Sequence, residues 1–238
     1  MKVTICGAQS VGKTTLVDNL PEKYQKYVIK KVIRNVILKS DQEVKVNEEA
    51  DAYAQTKFFG AYQNVLSERT DYITDRGLLD VAAYSNYLVY KRQIGSGIYF
   101  NQIQYIKDRL SKNKDEVFVY IPIEFDIVDD GFRSLDKKYQ DECDRAIRMT
   151  LEDLGIEPIV ICGTQEQRNK DFLKVLETIE KGKKPKSPNS LKPYKKLDII
   201  VPQKPEKTAS EASSETNSQA TTEFTITAEE AKKFWNEH

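Results

Sequence analysis

The chain has 238 residues, with 37 basic and 37 acidic side chains and a formal net charge of zero. That length is ample for one sizeable core plus a tail, and zero net charge excludes whole-molecule electrostatics as the basis for binding nucleic acid or membrane. No stretch approaches the ~20 apolar residues of a membrane span, and the apolar run at Val3–Cys6 breaks at Gly7, too early for a secretory signal. The three cysteines (Cys6, Cys143, Cys162) are far apart and form no CxxC pair, which fits a reduced, cytoplasmic protein better than a disulfide framework or zinc site. The single histidine is His238, so histidine-based catalysis is not expected.

In chain order, Lys2–Cys6 reads as a strand and Lys13–Leu20 as a short helix stopped by Pro21. Tyr27–Lys31 reads as a second strand, and Val32–Leu38 is ambiguous. Asn47 is placed to cap a long helix reaching Glu68, with Glu48 and Glu49 at the positive end of its dipole. Asp71–Thr74 is a strand ending at Asp75, followed by helices near 79–92 and 99–111. Glu116–Ile121 is a strand, Leu135–Leu154 a helix ended by Gly155, and Glu157–Cys162 the last strand. Thr164 and Gln167 form a capping box opening a final helix that stops at Gly182. Strands alternating with helices imply an α/β fold, a parallel sheet covered on both faces.

Composition changes near residue 181. Lys181–Lys196 holds seven lysines, three prolines and no acid, and the seventeen residues from Glu206 to Thr222 hold eight Ser/Thr and no aromatic, Val, Ile, Leu or Met. Such a segment buries too little apolar area to offset the entropy of ordering it, so 181–226 is expected to be a disordered linker. At the end, Thr227 to Glu230 resembles a capping box, and Ala231, Phe234 and Trp235 give 227–238 one apolar face of a short helix. The lysine run reads first as a solvated linker and second as a contact for nucleic acid or lipid; the Phe234-Trp235 end is a candidate docking peptide for a partner.

The strongest chemical signal is Gly7-Ala8-Gln9-Ser10-Val11-Gly12-Lys13-Thr14, a full G-x-x-x-x-G-K-[ST] match between a strand and a helix. Glycines let the backbone wrap closely, so that successive N–H groups point at phosphate oxygens and the helix start adds partial positive charge. Residues Gly7 to Thr15 are thus the expected nucleotide cradle. Lys13 is expected to reach the β- and γ-phosphates of ATP, and the Thr14 hydroxyl to join the Mg²⁺ shell. A Gly-rich turn that merely packs does not account for pattern, strand and helix coinciding.

Asp75-Arg76 falls at the carboxyl end of a strand, where open α/β sheets face their ligands. Asp75 is the candidate for holding Mg²⁺ or accepting a proton, and Arg76 for binding phosphate or substrate oxygen. Asp129-Asp130-Gly131-Phe132-Arg133 reads as a mobile turn whose Arg133 closes over the transferring phosphoryl group. A GTPase is excluded: Asp75-Arg76-Gly77 has its glycine one place early for D-x-x-G, and Asn113-Lys114-Asp115-Glu116 only imitates N-K-x-D. A ring-forming AAA-type motor calls for a strand ending in Asp-Glu, which Tyr72–Arg76 lacks.

Gly7–Thr14, Thr74–Asp80, Asp129–Leu154 and Ile159–Arg168 together resemble the ribosylnicotinamide kinase domain and related P-loop kinases, including phage-encoded relatives, over roughly residues 1–180. The resemblance implies a three-layer P-loop NTPase domain with a five-stranded parallel sheet of nucleoside-kinase type. It implies ATP and Mg²⁺ as cofactors, Arg133 as the lid arginine and Asp75 as the acid beside the metal. Where many such proteins carry Pro-Glu-Val-Ala-Arg after the second strand, this chain has Lys30-Lys31-Val32-Ile33-Arg34. Arg34 keeps the arginine, but lysine replaces the acid, so the general base is open, with Asp75 first and Asp41, Glu48 and Glu49 behind it. Gln63, on the long helix, is a candidate for hydrogen bonding the substrate. The function implied is phosphoryl transfer to a small nucleoside-like acceptor: nicotinamide riboside, a nucleoside or a deoxynucleotide. The alternative is a regulatory NTPase acting through its tail, and the oligomeric state is open.

Overall fold

The computed structural model describes residues 1–127 and 134–193, all within one unit, Met1–Ile200. Five short strands make one parallel sheet: β1 (Lys2–Cys6), β2 (Val28–Ile29), β3 (Tyr72–Asp75), β4 (Glu116–Tyr120) and β5 (Ile159–Val160), in the order β2-β3-β1-β4-β5. Parallel strands need crossovers, and helices supply them: α1 (Lys13–Asp18), α2 (Glu22–Gln25), α3 (Val32–Lys39), α4 (Ala52–Ser67), α5 (Leu78–Tyr90), α6 (Ser96–Lys112), α7 (Lys137–Asp153) and α8 (Gln165–Glu180).

Alternation along the strands sorts side chains to the two faces. Val3, Ile5, Val119 and Ile121 point to one side, against Leu16 and Val17 of α1 and Phe172 and Leu176 of α8. Cys6, Phe118 and Tyr120 point to the other, against Leu79 and Tyr87 of α5 and Cys143 and Ile147 of α7. A third cluster joins Tyr72 to Phe58 and Tyr62 of α4 and to Tyr99 and Ile103 of α6. The result is the expected three-layer α/β/α fold. Each such buried Leu, Ile or Phe stabilises it by about 1.5–3 kcal/mol relative to exposure. β1 lies between β3 and β4, with Ile5 opposite both Asp75 and Val119. The chain direction across the sheet reverses there, which opens a crevice at the strands' carboxyl ends.

Three local readings are settled or corrected. Val32–Lys39, ambiguous in the sequence, is a helix. Asn47 does not cap the long helix: it takes φ 56° in a single 3₁₀ turn (Asn47–Glu49), and Asp51 caps α4 by accepting a hydrogen bond from the Ala54 N–H at 2.9 Å. The first helix stops at Asp18, short of Pro21, which instead stands at the N-cap of an extra helix, α2, where its fixed φ suits the chain. The lysine- and proline-rich segment expected to be disordered from 181 is anchored in its first part. The Ser187 hydroxyl accepts from the Val160 N–H at 2.8 Å, Asn189 Nδ2 donates to the Val160 carbonyl at 3.1 Å, and Arg148 donates to the Lys192 carbonyl. These bonds cover the outer edge of β5, which would otherwise present unpaired backbone groups. The rest of the tail, the 227–238 helix included, lies outside the described residues, as do Asp129–Phe132 and Arg133. Among the described residues no helix is long and apolar enough to cross a membrane.

Candidate active site

The loop Gly7–Thr14 leaves the carboxyl end of the central strand, and its conformation explains its glycines. Gly7 has φ 149° and Gly12 φ 89°; a Cβ on Gly7 would lie 2.6 Å from the Ile121 carbonyl oxygen. Gly12 caps α1 with no side chain to occupy the first N–H groups. Lys13 is buried at the centre of the loop, donating to the Gly7 carbonyl at 2.6 Å and to the Ala8 carbonyl. The loop thus folds around its own ammonium group, which concentrates positive charge where phosphate oxygens are expected. Ala8, Gln9 and Val11 are buried, Ser10 takes φ 61°, and Thr15 faces solvent.

Beside the loop, the Thr14 hydroxyl donates to Asp75 Oδ2 at 2.5 Å. Asp75 is 7 % exposed, and its Oδ1 is buried with no hydrogen-bond partner. A hydroxyl touching a carboxylate that keeps one oxygen open is a donor set that fits Mg²⁺, which takes one or two carboxylates and leaves its other positions to water and phosphate. No group of three or more His, Cys, Asp or Glu suited to a metal occurs among the described residues.

Arg76 follows with φ 77°, its carbonyl accepting from the Thr74 hydroxyl at 2.6 Å and its guanidinium lying 5.6 Å from the centre of the Tyr84 ring. Burial works to lower the Arg76 pKa, but Tyr84, Asp80 and Asp75 outweigh it and raise it, so this cation is permanent. Tyr84 in turn donates to Gln9 Oε1 at 2.9 Å. Asp80, one turn into α5, accepts from the Gly7 N–H at 3.3 Å and the Gly77 N–H at 3.1 Å. Burial pushes its carboxyl up to about 6; Asp75 adds to this, while Lys13, Arg76 and the Gly7 N–H oppose it.

These groups open onto a cavity of about 360 Å³. Its walls include Thr14, Asp75 and Arg76, Lys31 and Arg34 from the β2–α3 segment, and Asn47 from the 3₁₀ turn. Arg34 lines this cavity. Gln63 does not line it: the α4 residues that do are Gln55, Phe58 and Tyr62, of which Gln55 is 3 % exposed and accepts from the Ser85 hydroxyl. Asp41, Glu48 and Glu49 do not line it either; Glu48 instead bonds the Ser134 hydroxyl.

Sequence reasoning missed the supports of the loop. Arg168 of α8, 1 % exposed, donates to the Val11 carbonyl at 2.6 Å and to Glu124 at 2.6 Å, and lies 4.7 Å from the Phe125 ring centre. Gln140 of α7 donates to the Gln9 carbonyl at 2.7 Å. For Asp80 a signal existed: an acid three residues after Gly77 at a helix start is placed to bond the backbone there.

Sheet order, loop and metal-type donor pair define a P-loop NTPase. A family model described as an AAA domain matches residues 2–168, and the chain belongs to that family. It does so although β3 ends in Asp-Arg, so the Asp-Glu ending is not a condition of membership. Two solved structures of the deoxyadenosine kinase from M. mycoides share the fold. The one with products dCMP and a flexible dCDP bound has a TM-score of 0.55 at 14 % identity, covering 75 % of this chain and 100 % of that one. The one with bound dATP has a TM-score of 0.52 at 14 % identity, covering 74 % and 100 %. A search of curated proteins finds no match.

Proposed function

We propose that the chain is a P-loop kinase transferring the terminal phosphoryl group of ATP to a small nucleoside-like acceptor. The observation that carries this is the shared wall: Thr14, next to the lysine of the phosphate loop, and Asp75-Arg76 line the same cavity as Arg34 and Gln55. A simple nucleotide hydrolase needs space for a water; a 360 Å³ cavity beside the phosphates has room for a second small molecule. The fold's likeness to deoxyadenosine kinase structures and the motif resemblance to ribosylnicotinamide kinase domains both support a nucleoside-like acceptor.

In this reading Gly7–Thr15 holds the phosphates by backbone N–H groups, and Lys13 exchanges a loop carbonyl for a γ-phosphate oxygen. Thr14 and Asp75 are the residues that would hold Mg²⁺, which when bound offsets charge on the β- and γ-phosphates. Arg76 is fixed by Tyr84 at the boundary between donor and acceptor, where charge develops during transfer. Gln55 offers an amide to the acceptor, and Arg133 remains the proposed lid arginine. The phosphoryl bond to the departing ADP breaks as the bond to the acceptor forms, and positioning supplies most of the rate. The three free thiols suit a reducing, cytoplasmic setting.

The test is ADP release from Mg-ATP by the full chain, with and without a panel of nucleosides, nicotinamide riboside and nucleotides. Release that rises with one class of acceptor supports the kinase. Hydrolysis that ignores the whole panel refutes it, and activity that survives Lys13→Ala removes the loop from the mechanism.

A further inference from the structure

We infer that the acceptor is itself a phosphomonoester, a nucleoside 5′-monophosphate, and that Lys31 and Arg34 receive its phosphate. This rests on the kinase reading and specifies its substrate class.

The β2 strand ends at Ile29, and the chain enters α3 through Lys31 at φ 63°, a backbone conformation that side chains other than glycine rarely adopt. Such outliers persist where the surroundings impose them and are a pointer to function. Here the turn sets Lys31, Val32, Ile33 and Arg34 together on the cavity wall, while Lys31 supplies no side-chain acceptor to the first turn of α3. Two cations and a helix start therefore contribute to the cavity wall. A second observation is independent of that helix. Gln9, 3 % exposed, lines the same cavity; Tyr84 holds its Oε1, and its Nε2 is a buried donor with no hydrogen-bond partner. A buried amide donor without an acceptor is costly, and a ligand oxygen would satisfy it.

Among the described residues, the carboxylates lining the cavity are Asp75, assigned above to Mg²⁺, and Asp80, held by backbone N–H groups. Neither β2 nor α3 contributes an acid. Chemistry separates the two acceptor classes. A hydroxyl acceptor is protonated near neutral pH and needs a general base as it attacks. A phosphomonoester has its second pKa near 6, so it arrives as a dianion and needs cations instead. In the transfer, a lone pair on the acceptor's phosphate oxygen forms the bond to the γ-phosphorus. The bond from that phosphorus to the β–γ bridging oxygen breaks, and its electron pair leaves with ADP. The products are ADP and a nucleoside diphosphate; no proton is transferred and nothing is oxidised.

The experiment uses the full chain with saturating Mg-ATP and matched pairs of acceptors: deoxyadenosine, deoxycytidine, thymidine and nicotinamide riboside, each against its own 5′-phosphate. ADP release is followed and products are read by ³¹P NMR. Turnover with one or more 5′-phosphates, giving a diphosphate signal and exceeding that of the parent nucleoside by about 100-fold, supports the inference. Turnover of the nucleosides to monophosphates overturns it and leaves the kinase reading intact. ADP release unaffected by any member of either set overturns both.

Lys31→Glu and Arg34→Gln are each expected to raise KM for the 5′-phosphate about ten-fold or more, with KM for ATP unmoved. Lys31→Gly, which the positive φ favours, removes the charge without straining the turn and is expected to do the same, while Lys31→Arg restores binding. An unchanged acceptor KM in Lys31→Gly overturns the role of Lys31 whatever the fate of the glutamate variant.

Discussion

Thr14 and Asp75, 61 residues apart, meet at 2.5 Å because β1 and β3 run parallel in register, with Ile5 opposite Asp75. The contact ties the first turn of α1 to the carboxyl end of β3 and leaves Asp75 Oδ1 open. Asp75→Asn keeps the side chain's shape but loses its charge. We expect turnover to fall about 100-fold or more, and the Mg²⁺ concentration for half-maximal activity to rise. The check is ADP release against Mg²⁺ at fixed ATP. An unaltered Mg²⁺ dependence would place the metal on other residues.

The two loop glycines differ in what confines them. At Gly7 a Cβ would meet a backbone oxygen at 2.6 Å, which can move only with β4's end; at Gly12 the nearest neighbours are side-chain atoms at 3.5 Å or beyond. Gly7→Ala is expected to cost about 1–3 kcal/mol through overpacking and to abolish measurable nucleotide binding. Gly12→Ala, strained only by its φ, is expected to cost about 1 kcal/mol. Urea unfolding and titration with a fluorescent ATP analogue measure both, and equal losses at the two positions would contradict the geometry.

The phosphate loop was legible because its chemistry is local: eight consecutive residues, a strand before and a helix after. Asp75-Arg76 was read from its place at the end of a short strand, and strand ends are where ligands sit in such sheets. Gln63 lies on the right helix but off the face that lines the cavity. The α4 face toward the cavity bears Gln55, Phe58 and Tyr62, a choice set by how the helix packs on the sheet and not by its own sequence pattern. Arg168 and Gln140 act across 157 and 131 residues of chain on single carbonyl groups, Val11 and Gln9. No periodicity or spacing encodes such a contact. The anchoring of Ser187 and Asn189 on β5 was hidden for a related reason: composition reports a segment's apolar content, and these residues hold on through hydrogen bonds to one exposed strand edge.

Arg168 gives the third prediction. Its guanidinium is almost wholly buried and bridges the Val11 carbonyl to Glu124, whose Oε2 also accepts from the Gly163 N–H at 2.7 Å. Arg168→Met removes the fork and leaves a buried carbonyl unpaired, at an expected cost of about 2–4 kcal/mol. Arg168→Lys cannot span both partners with planar geometry and is expected to recover less than half of that loss. Because the contact is to the phosphate loop, ATP-analogue affinity should fall even at temperatures where each variant is fully folded. Thermal unfolding separates the two effects, and a variant that is destabilised yet binds as the parent does would make Arg168 a purely structural residue.

Asp80 gives a pH dependence with a definite sign. Its ordinary value is 3.8, and burial raises it to about 6 in the folded chain. Between about pH 4 and 6 the folded state therefore retains a proton that the unfolded state has released, and stability from this group falls as pH rises through that window. The contribution is fully present below about pH 4 and lost above about 6, with an upper bound of about 3 kcal/mol. Asp80→Asn does not titrate. It turns an amide toward the Gly7 N–H, a fixed penalty, but only the slope matters. For nucleotide-free protein, urea unfolding at pH 4, 5, 6 and 7 should show the parent losing ground to the variant up to pH 6 and running parallel beyond it. Parallel curves throughout would mean that the Gly7 and Gly77 N–H groups and Lys13 hold Asp80 ionised in the folded state.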